Sequence, residues 1–157
     1  MHLLDIASAV VWVDFLTIVI SKVFKLGNSL DKWYANFGIV AVMSDCLVIV
    51  LGIMIARFIF PNAGLLALIA VAVAVQLLHD MAFYYFVILQ VPKGQNSMID
   101  LFKEYSIENS WKILVADSLM IGSTVFLASQ LSKIKTVYTS FLGLLGTYAI
   151  TYIIYTK

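Results

Sequence analysis

Four aspartates each lie inside a separate apolar run of the sequence. Each run has about twenty residues, which is enough to cross a lipid bilayer as a helix. A carboxylate near the middle of a bilayer costs about 2.5–3.5 kcal/mol on insertion scales, so four of them cost about 10–14 kcal/mol before compensation. The carboxyl groups must therefore meet inside the protein, hold protons or reach water. These aspartates are Asp14, Asp45, Asp80 and Asp117.

The whole chain has the composition of a membrane protein. It is 62% hydrophobic and 12% charged, whereas a soluble domain has about 25% charged residues. Gly-, Asn- and Pro-containing segments separate the apolar runs, as expected of connections between helices. We predict an all-α polytopic bundle that forms a single transmembrane domain over 1–157. Its five predicted spans are 3–24, 37–60, 65–91, 111–131 and 136–155.

One segment, 95–110, is more polar than the rest and has a helical pattern of its own. Met98, Phe102 and Tyr105 recur on one face, with charged residues between them. This pattern predicts a short amphipathic helix on the membrane surface, whose apolar face contacts a protein partner. Two alternatives stay open. The segment is a solvated loop, or, because it contains no Gly or Pro, it continues as one long helix into the fourth span.

The basic residues predict the orientation of the bundle. With five spans, seven lysines fall on one side of the membrane, and one arginine and two lysines fall on the other. The side with more basic residues is normally cytoplasmic. We therefore expect the N-terminus outside and the C-terminus in the cytoplasm. The seven lysines are Lys22, Lys25, Lys32, Lys93, Lys103, Lys112 and Lys157.

The four aspartates are expected to form one intramembrane cluster. Each lies on a helix face that also carries small or polar residues, and such faces pack against other helices. At 1.5 Å per residue, all four fall within a slab about 6 Å thick. Gln76 and His79 lie within one helical turn of Asp80 and extend the cluster. The cluster either fixes the helices by hydrogen bonds, conducts protons or ions, or holds a divalent cation, although no ligand spacing supports a cation.

Several classes of function are excluded or disfavoured by the sequence. A net charge of +1 gives no electrostatic basis for binding nucleic acid. Cys46 is the one cysteine, so a disulfide within the chain and a thiolate zinc site are excluded. HExxH, GxSxG and histidine-box motifs are absent, and two histidines make a bis-histidine haem an unfavourable interpretation. We expect no enzymatic activity and no cofactor.

Two stretches carry a resemblance to a known group of proteins. They are FGIVAVMSDCLVIVLGIMIARF (37–58) and VPKGQNSMIDLFKEYSIENSWKILVADSLM (91–120). Both resemble small multi-span membrane proteins encoded by large DNA viruses of algae. The resemblance covers about half the chain and implies residence in the lipid membrane beneath an icosahedral capsid, with a minor capsid or membrane-anchoring role. It implies no catalytic residues.

The expected function is structural. The chain is predicted to be an integral membrane component that contacts the lipid bilayer and binds protein partners through its short cytoplasmic loops. The alternative is a small proton or ion pathway, either channel or transporter, through the aspartate cluster. The two differ in water access, because a pathway must connect the cluster to both membrane surfaces.

Overall fold

The computed structural model describes residues 1–156, which form seven α-helices, one π-helical segment and no β-strand. Lys157, which the lysine count assigns to the cytoplasmic side, lies outside the described residues. Two of the helices are short, α2 (Asn28–Phe37) and α5 (Ser97–Asn109). The long elements are α1 (Leu3–Phe24), α3 (Ile39–Ile59), α4 (Leu65–Phe83) with its π-helical continuation (Tyr84–Ile88), α6 (Trp111–Leu131) and α7 (Thr136–Ile153).

Four helices are long and apolar enough to cross a membrane. They are α1, α3, α4 with the π-helical segment, and α6, with mean hydropathies of 2.2, 2.6, 2.0 and 1.5. The predicted all-helical fold is confirmed, and four of the five predicted spans meet the criteria of length and apolarity. The fifth predicted span corresponds to α7. It is not among these four because its threonines and tyrosines lower its hydropathy.

Helix α7 runs parallel to α1 along its whole length. The Ser8 hydroxyl donates to the Thr139 carbonyl (3.1 Å), the Trp12 indole donates to the Leu142 carbonyl (2.9 Å), and the Lys22 ammonium donates to the Thr156 carbonyl (2.6 Å). The approach is close, since a Cβ on Gly143 would lie 2.5 Å from the Ser8 hydroxyl oxygen.

The packed face of α7 differs from the one that its small and polar residues suggest. The stripe through Thr136, Thr147 and Thr151 is exposed, whereas Thr139 and Gly146 are buried. The exposed threonines need no partner helix, because Thr147 and Thr151 donate their hydroxyls to carbonyls of α7 itself.

The other four long helices form the core. Helix α1 packs against α3 and α6, and α4 packs against the same two helices. Branched apolar side chains fill the space between them. Ile18, Ile53, Ile121 and Val125 are each 0% exposed, so the middle of the bundle is tightly packed around the polar groups described below.

The two short helices lie side by side and antiparallel, at the end of the bundle where α1 ends; we call them the α2–α5 layer (Asn28–Phe37 and Ser97–Asn109). Lys32 forms a 2.9 Å ion pair with Glu104. The Glu108 carboxylate accepts the backbone N–H groups of Asn28 (2.9 Å) and Ser29 (2.8 Å), the first residues of α2. Glu108 thus caps the N-terminus of α2. Gly27, the residue at the N-cap position, has no side chain that could accept these hydrogen bonds.

Segment 95–110 is a helix, and it is separate from the fourth span. Ser110 has φ 47° and ψ −127°, a left-handed backbone that ends α5 and redirects the chain into α6. The alternatives of a solvated loop and of one continuous helix are therefore wrong. The cap at the start of α5 is Asn96, whose side chain accepts the N–H groups of Met98 (2.9 Å) and Ile99 (3.2 Å).

Candidate functional site: the intramembrane carboxyl groups

All four aspartates of the predicted cluster lie nearer to the α2–α5 layer than to the opposite end of the bundle. Asp45 and Asp117 are the seventh residues of α3 and α6, which both begin at this layer. Asp14 precedes the end of α1 by ten residues, and Asp80 precedes the end of the π-helical segment by eight. At 1.5 Å per residue these offsets are about 9–15 Å, so the four carboxyl groups share a similar depth.

Asp14 is the most deeply enclosed of the four. Its side chain is 0% exposed, and neither carboxyl oxygen has a hydrogen-bond partner among the described residues. Val10 and Ile18, one turn away on either side, are buried as well. A buried carboxylate without donors is costly, so this group needs a proton or a ligand.

Asp45 is held by two aromatic donors from α2. Its Oδ2 accepts the indole N–H of Trp33 (3.1 Å) and the phenol of Tyr34 (3.3 Å). Burial raises the pKa of Tyr34 well above its ordinary value, and the charges of Asp45 and Asp14 raise it further. Tyr34 therefore stays protonated and remains a donor at any ordinary pH.

These two donors are not among the residues that the sequence predicts for the cluster. Each side chain is only 5% exposed, so the aromatic pair packs into the bundle. The turn at Gly38, with φ 52° and ψ −125°, places α2 beside the first turns of α3. The sequence feature that indicates this contact is Gly38, which lies between the aromatic pair and Asp45, seven residues after the glycine.

Gln76, His79 and Asp80 form a second polar group on α4. Asp80 Oδ1 accepts the Gln76 amide (2.8 Å) and lies 3.1 Å from His79 Nδ1. Gln76 is buried, and its Oε1 has no partner. The His79 side chain is 46% exposed and that of Asp80 14%, so this part of the site is the more open one.

Asp117 of α6 is half-buried. Tyr105 of α5 is nearby: burial raises the pKa of its phenol, and the carboxylates of Asp117, Asp45 and Glu108 raise it further. Each of the two short helices thus brings a phenol, Tyr34 from α2 and Tyr105 from α5, close to these carboxyl groups.

The apolar face of α5 is turned toward the protein's own bundle. Phe102 packs against Trp33 (ring centroids 4.8 Å apart) and against Phe83 (5.9 Å), Met98 packs on the core, and Tyr105 is half-buried. The prediction that Met98, Phe102 and Tyr105 contact a partner protein is corrected accordingly. An amphipathic pattern shows only that one face is covered, and here the protein's own helices cover it.

A shared metal site receives no support from the geometry. Within residues 1–156, no three side chains from among His, Cys, Asp and Glu are placed to hold a metal ion together. Cys46 is a free, buried thiol. These carboxyl groups can bind and release protons and, when neutral, donate hydrogen bonds.

Comparison with known proteins gives no relative. No family model matches the chain, and no curated protein or solved structure is significantly similar to it.

Proposed function

We propose that this chain is an integral membrane structural protein with a closed interior, which binds protein partners on the side of the α2–α5 layer. The observation that carries the proposal is the packing between Asp14 and the opposite end of the bundle. Ile6, Val10 and Val13 fill that region and are 0%, 2% and 8% exposed. The Ser8 hydroxyl in the same region is already used on the Thr139 carbonyl. A continuous path for ions needs polar groups or water there.

The other end of the bundle is covered by an aromatic layer. Trp33 contacts Phe37 and Phe102, and Phe102 contacts Phe83, whose ring stacks on that of His79. The centroid distances are 4.8–5.9 Å. Trp33 also donates its indole N–H to Asp45, so this group of rings packs directly against one of the aspartates, which supports a dry interior.

Partner binding is proposed for the outward surface of the α2–α5 layer, because its inward surface is occupied. The outward side chains are exposed and mostly polar or charged, with one large apolar residue, Ile107, which is 82% exposed. An isolated apolar residue within a polar surface suits a transient rather than an obligate interface. The outward side chains are Asp31, Lys32, Asn36, Glu104, Ile107 and Glu108.

We propose further that α7 is a fifth span, so that the N-terminus lies outside and the C-terminus in the cytoplasm. Its parallel contact with α1, from Thr139 to Thr156, supports this assignment. Its length of 18 residues corresponds to about 27 Å of helix. The resemblance to membrane proteins of large DNA viruses of algae suggests that the membrane is the one beneath an icosahedral capsid.

Single-cysteine labelling tests the topology. In a Cys46→Ser background, we expect Ser132→Cys and Thr156→Cys to react with a membrane-impermeant maleimide from opposite sides of the membrane. Labelling of both from the same side would refute the fifth span.

The number of copies of the protein per purified virus particle tests the proposed location in the membrane beneath the capsid. A structural component of the particle is present in a fixed number of copies, whereas a protein of the cellular membrane is not.

The alternative function is a proton pathway, which the unpartnered carboxyl of Asp14 and the partly exposed His79 favour. Purified protein in liposomes distinguishes the two. We expect an imposed pH gradient to persist as long as in protein-free liposomes. A faster decay that Asp80→Asn abolishes, with helix content unchanged, would overturn the structural proposal.

A further inference from the structure

The first six helices repeat one three-helix arrangement. Each half consists of a long helix, a short helix in the α2–α5 layer, and a second long helix that returns across the bundle: α1–α2–α3, then α4–α5–α6. The junction before the returning helix has the same backbone in both halves. Gly38 has φ 52° and ψ −125°, and Ser110 has φ 47° and ψ −127°. The returning helices α3 and α6 both contain 21 residues and carry an aspartate at the seventh, Asp45 and Asp117.

The first helices of the two halves, α1 and α4, correspond as well. Both run toward the α2–α5 layer, and both pack against α3 and α6. When the two helices are aligned on their aspartates, the positions one and two turns earlier are buried in both. The correspondence therefore identifies, for each face of α1, the equivalent face of α4. The matched pairs are Asp14 with Asp80, Val10 with Gln76, and Ile6 with Ala72.

One face of α1 is covered by a helix, whereas the equivalent face of α4 is bare. On α1 this face carries Ser8 and Trp12, which both donate to carbonyl groups of α7. The equivalent residues of α4 are Ala74 and Leu78. Both are exposed, Leu78 by 68%. Of the apolar stretch of each helix, 44% is buried in α1 and 17% in α4. Within residues 1–156, no helix takes the place on α4 that α7 takes on α1.

The bare face of α4 is an apolar stripe with small residues in its first half. Its residues are three or four apart, so they lie on one side of the helix. Ala70 and Ala74 are four apart, the small-xxx-small spacing that lets two helix backbones approach closely in a membrane. The α1–α7 contact is close for the same reason, since Gly143 faces Ser8. The stripe consists of Ala67, Ala70, Ala74, Leu78 and Met81.

We infer that this stripe binds a second copy of the chain, so that two α4 helices pack in parallel about a two-fold axis normal to the membrane. Copies in one membrane share one orientation, so such an axis makes the two α4 helices parallel. This is the relation that α7 has to α1. Identical residues then meet at the same depth, and the alanines of one copy face the alanines of the other.

A contact between the stripe and α7 of another copy is less favourable, because the glycine face of α7 already packs on α1. The inferred dimer goes beyond the proposed function. Its contact surface lies on the side of the bundle and leaves the α2–α5 layer free for other partners. It is also independent of whether the interior is closed to protons.

Cross-linking of the full-length protein in membranes tests the inference. In a Cys46→Ser background, a two-fold contact brings Ala74→Cys beside its own copy, so mild oxidation should give a disulfide-linked dimer. The matched control is Phe126→Cys on α6, which is 53% exposed. The two positions share a similar depth: Ala74 precedes the end of the π-helical segment by 14 residues, and Phe126 follows the start of α6 by 15. We expect no cross-link from the control.

A second measurement is the dimer dissociation constant in lipid, obtained from energy transfer between labelled copies as the lipid is increased. Ala74→Trp separates the two backbones and should raise this constant about tenfold or more. Phe126→Trp should leave it unchanged. Circular dichroism verifies that both variants keep their helices.

Three results would overturn the inference. The first is a monomer at every protein-to-lipid ratio, which would mean that lipid covers the stripe. The second is equal cross-linking of Ala74→Cys and Phe126→Cys. The third is cross-linking of Ala74→Cys only to Phe141→Cys of another copy, which would mean that α4 packs on α7 instead.

Discussion

Exchanging glycine and serine between the two equivalent junctions should move stability in opposite directions. Ser110 adopts the same left-handed backbone as Gly38, although it carries a Cβ. A non-glycine residue in a sparsely populated backbone region costs about 1–3 kcal/mol. Glycine also gives the unfolded chain more conformational freedom, which lowers the unfolding free energy by about 0.4–1 kcal/mol. The relief of backbone strain minus this entropic loss predicts that Ser110→Gly stabilises the protein by about 1 kcal/mol.

The reverse exchange, Gly38→Ser, should destabilise by a similar or larger amount. Its Cβ would lie 3.1 Å from the hydroxyl oxygen of Tyr155, which must shift by a few tenths of an ångström. The control is Gly64→Ser, the same substitution at an ordinary φ of −66° with no atom within 4 Å of the new Cβ. Serine is a good N-cap for α4 there, so no loss is expected.

Reversible unfolding in mixed micelles, followed by circular dichroism, measures all three changes. The reasoning fails if Ser110→Gly destabilises the protein, since that would mean that the entropy of glycine outweighs any backbone strain. It also fails if Gly38→Ser and Gly64→Ser behave alike, because the two sites differ in φ and in the contact of the new Cβ with Tyr155.

Three further predictions concern packing and hydrogen bonding, each with its own measurement. Gly143→Ala should lower the unfolding free energy and weaken the contact of α7 with α1, because its Cβ would lie 2.5 Å from a hydroxyl oxygen; Gly122→Ala, with its nearest atom at 3.6 Å, should be nearly neutral in the same assay. Tyr34→Phe removes a donor to Asp45 and should cost about 1–3 kcal/mol on denaturation, and an unchanged midpoint would show that this hydrogen bond contributes nothing. The pKa of Glu108 is lowered by hydrogen bonds from the Ser29 side chain and from the N–H groups at the start of α2. The Glu108 carboxylate therefore contributes its full stabilisation above the ordinary carboxyl pKa, and this stabilisation is lost as the pH falls through the lowered pKa. Glu108→Gln should have a lower unfolding free energy than the wild type at neutral pH, and the two unfolding free energies should become equal in acid.

The long helices could be predicted from the sequence because hydrophobic length alone defines them. The predicted spans 3–24 and 111–131 have the same bounds as α1 and α6, and 37–60 exceeds α3 by two residues at one end and one at the other. Lipid leaves a backbone of this length no alternative to the helix. No comparable constraint acts on the short polar segments, and the errors lie there.

Helix α2 was missed because its stabilising groups come from a distant part of the chain. It has ten residues, and no side chain of its own caps its start. The cap is the Glu108 carboxylate, 79 and 80 positions away from the amides that it accepts. The duplication was missed for a related reason, since its junctions pair a glycine with a serine and few residues apart from Asp45 and Asp117 are identical.

The Glu108 cap has a consequence for how the two halves of the chain unfold. Glu108 belongs to the second three-helix half, and the amides that it accepts belong to the first. Loss of structure in the second half would leave two N–H groups of α2 without an acceptor and would remove Phe102 from Trp33, one of the donors to Asp45. Neither half can therefore melt without weakening the other, and the chain should unfold in a single transition rather than as two modules.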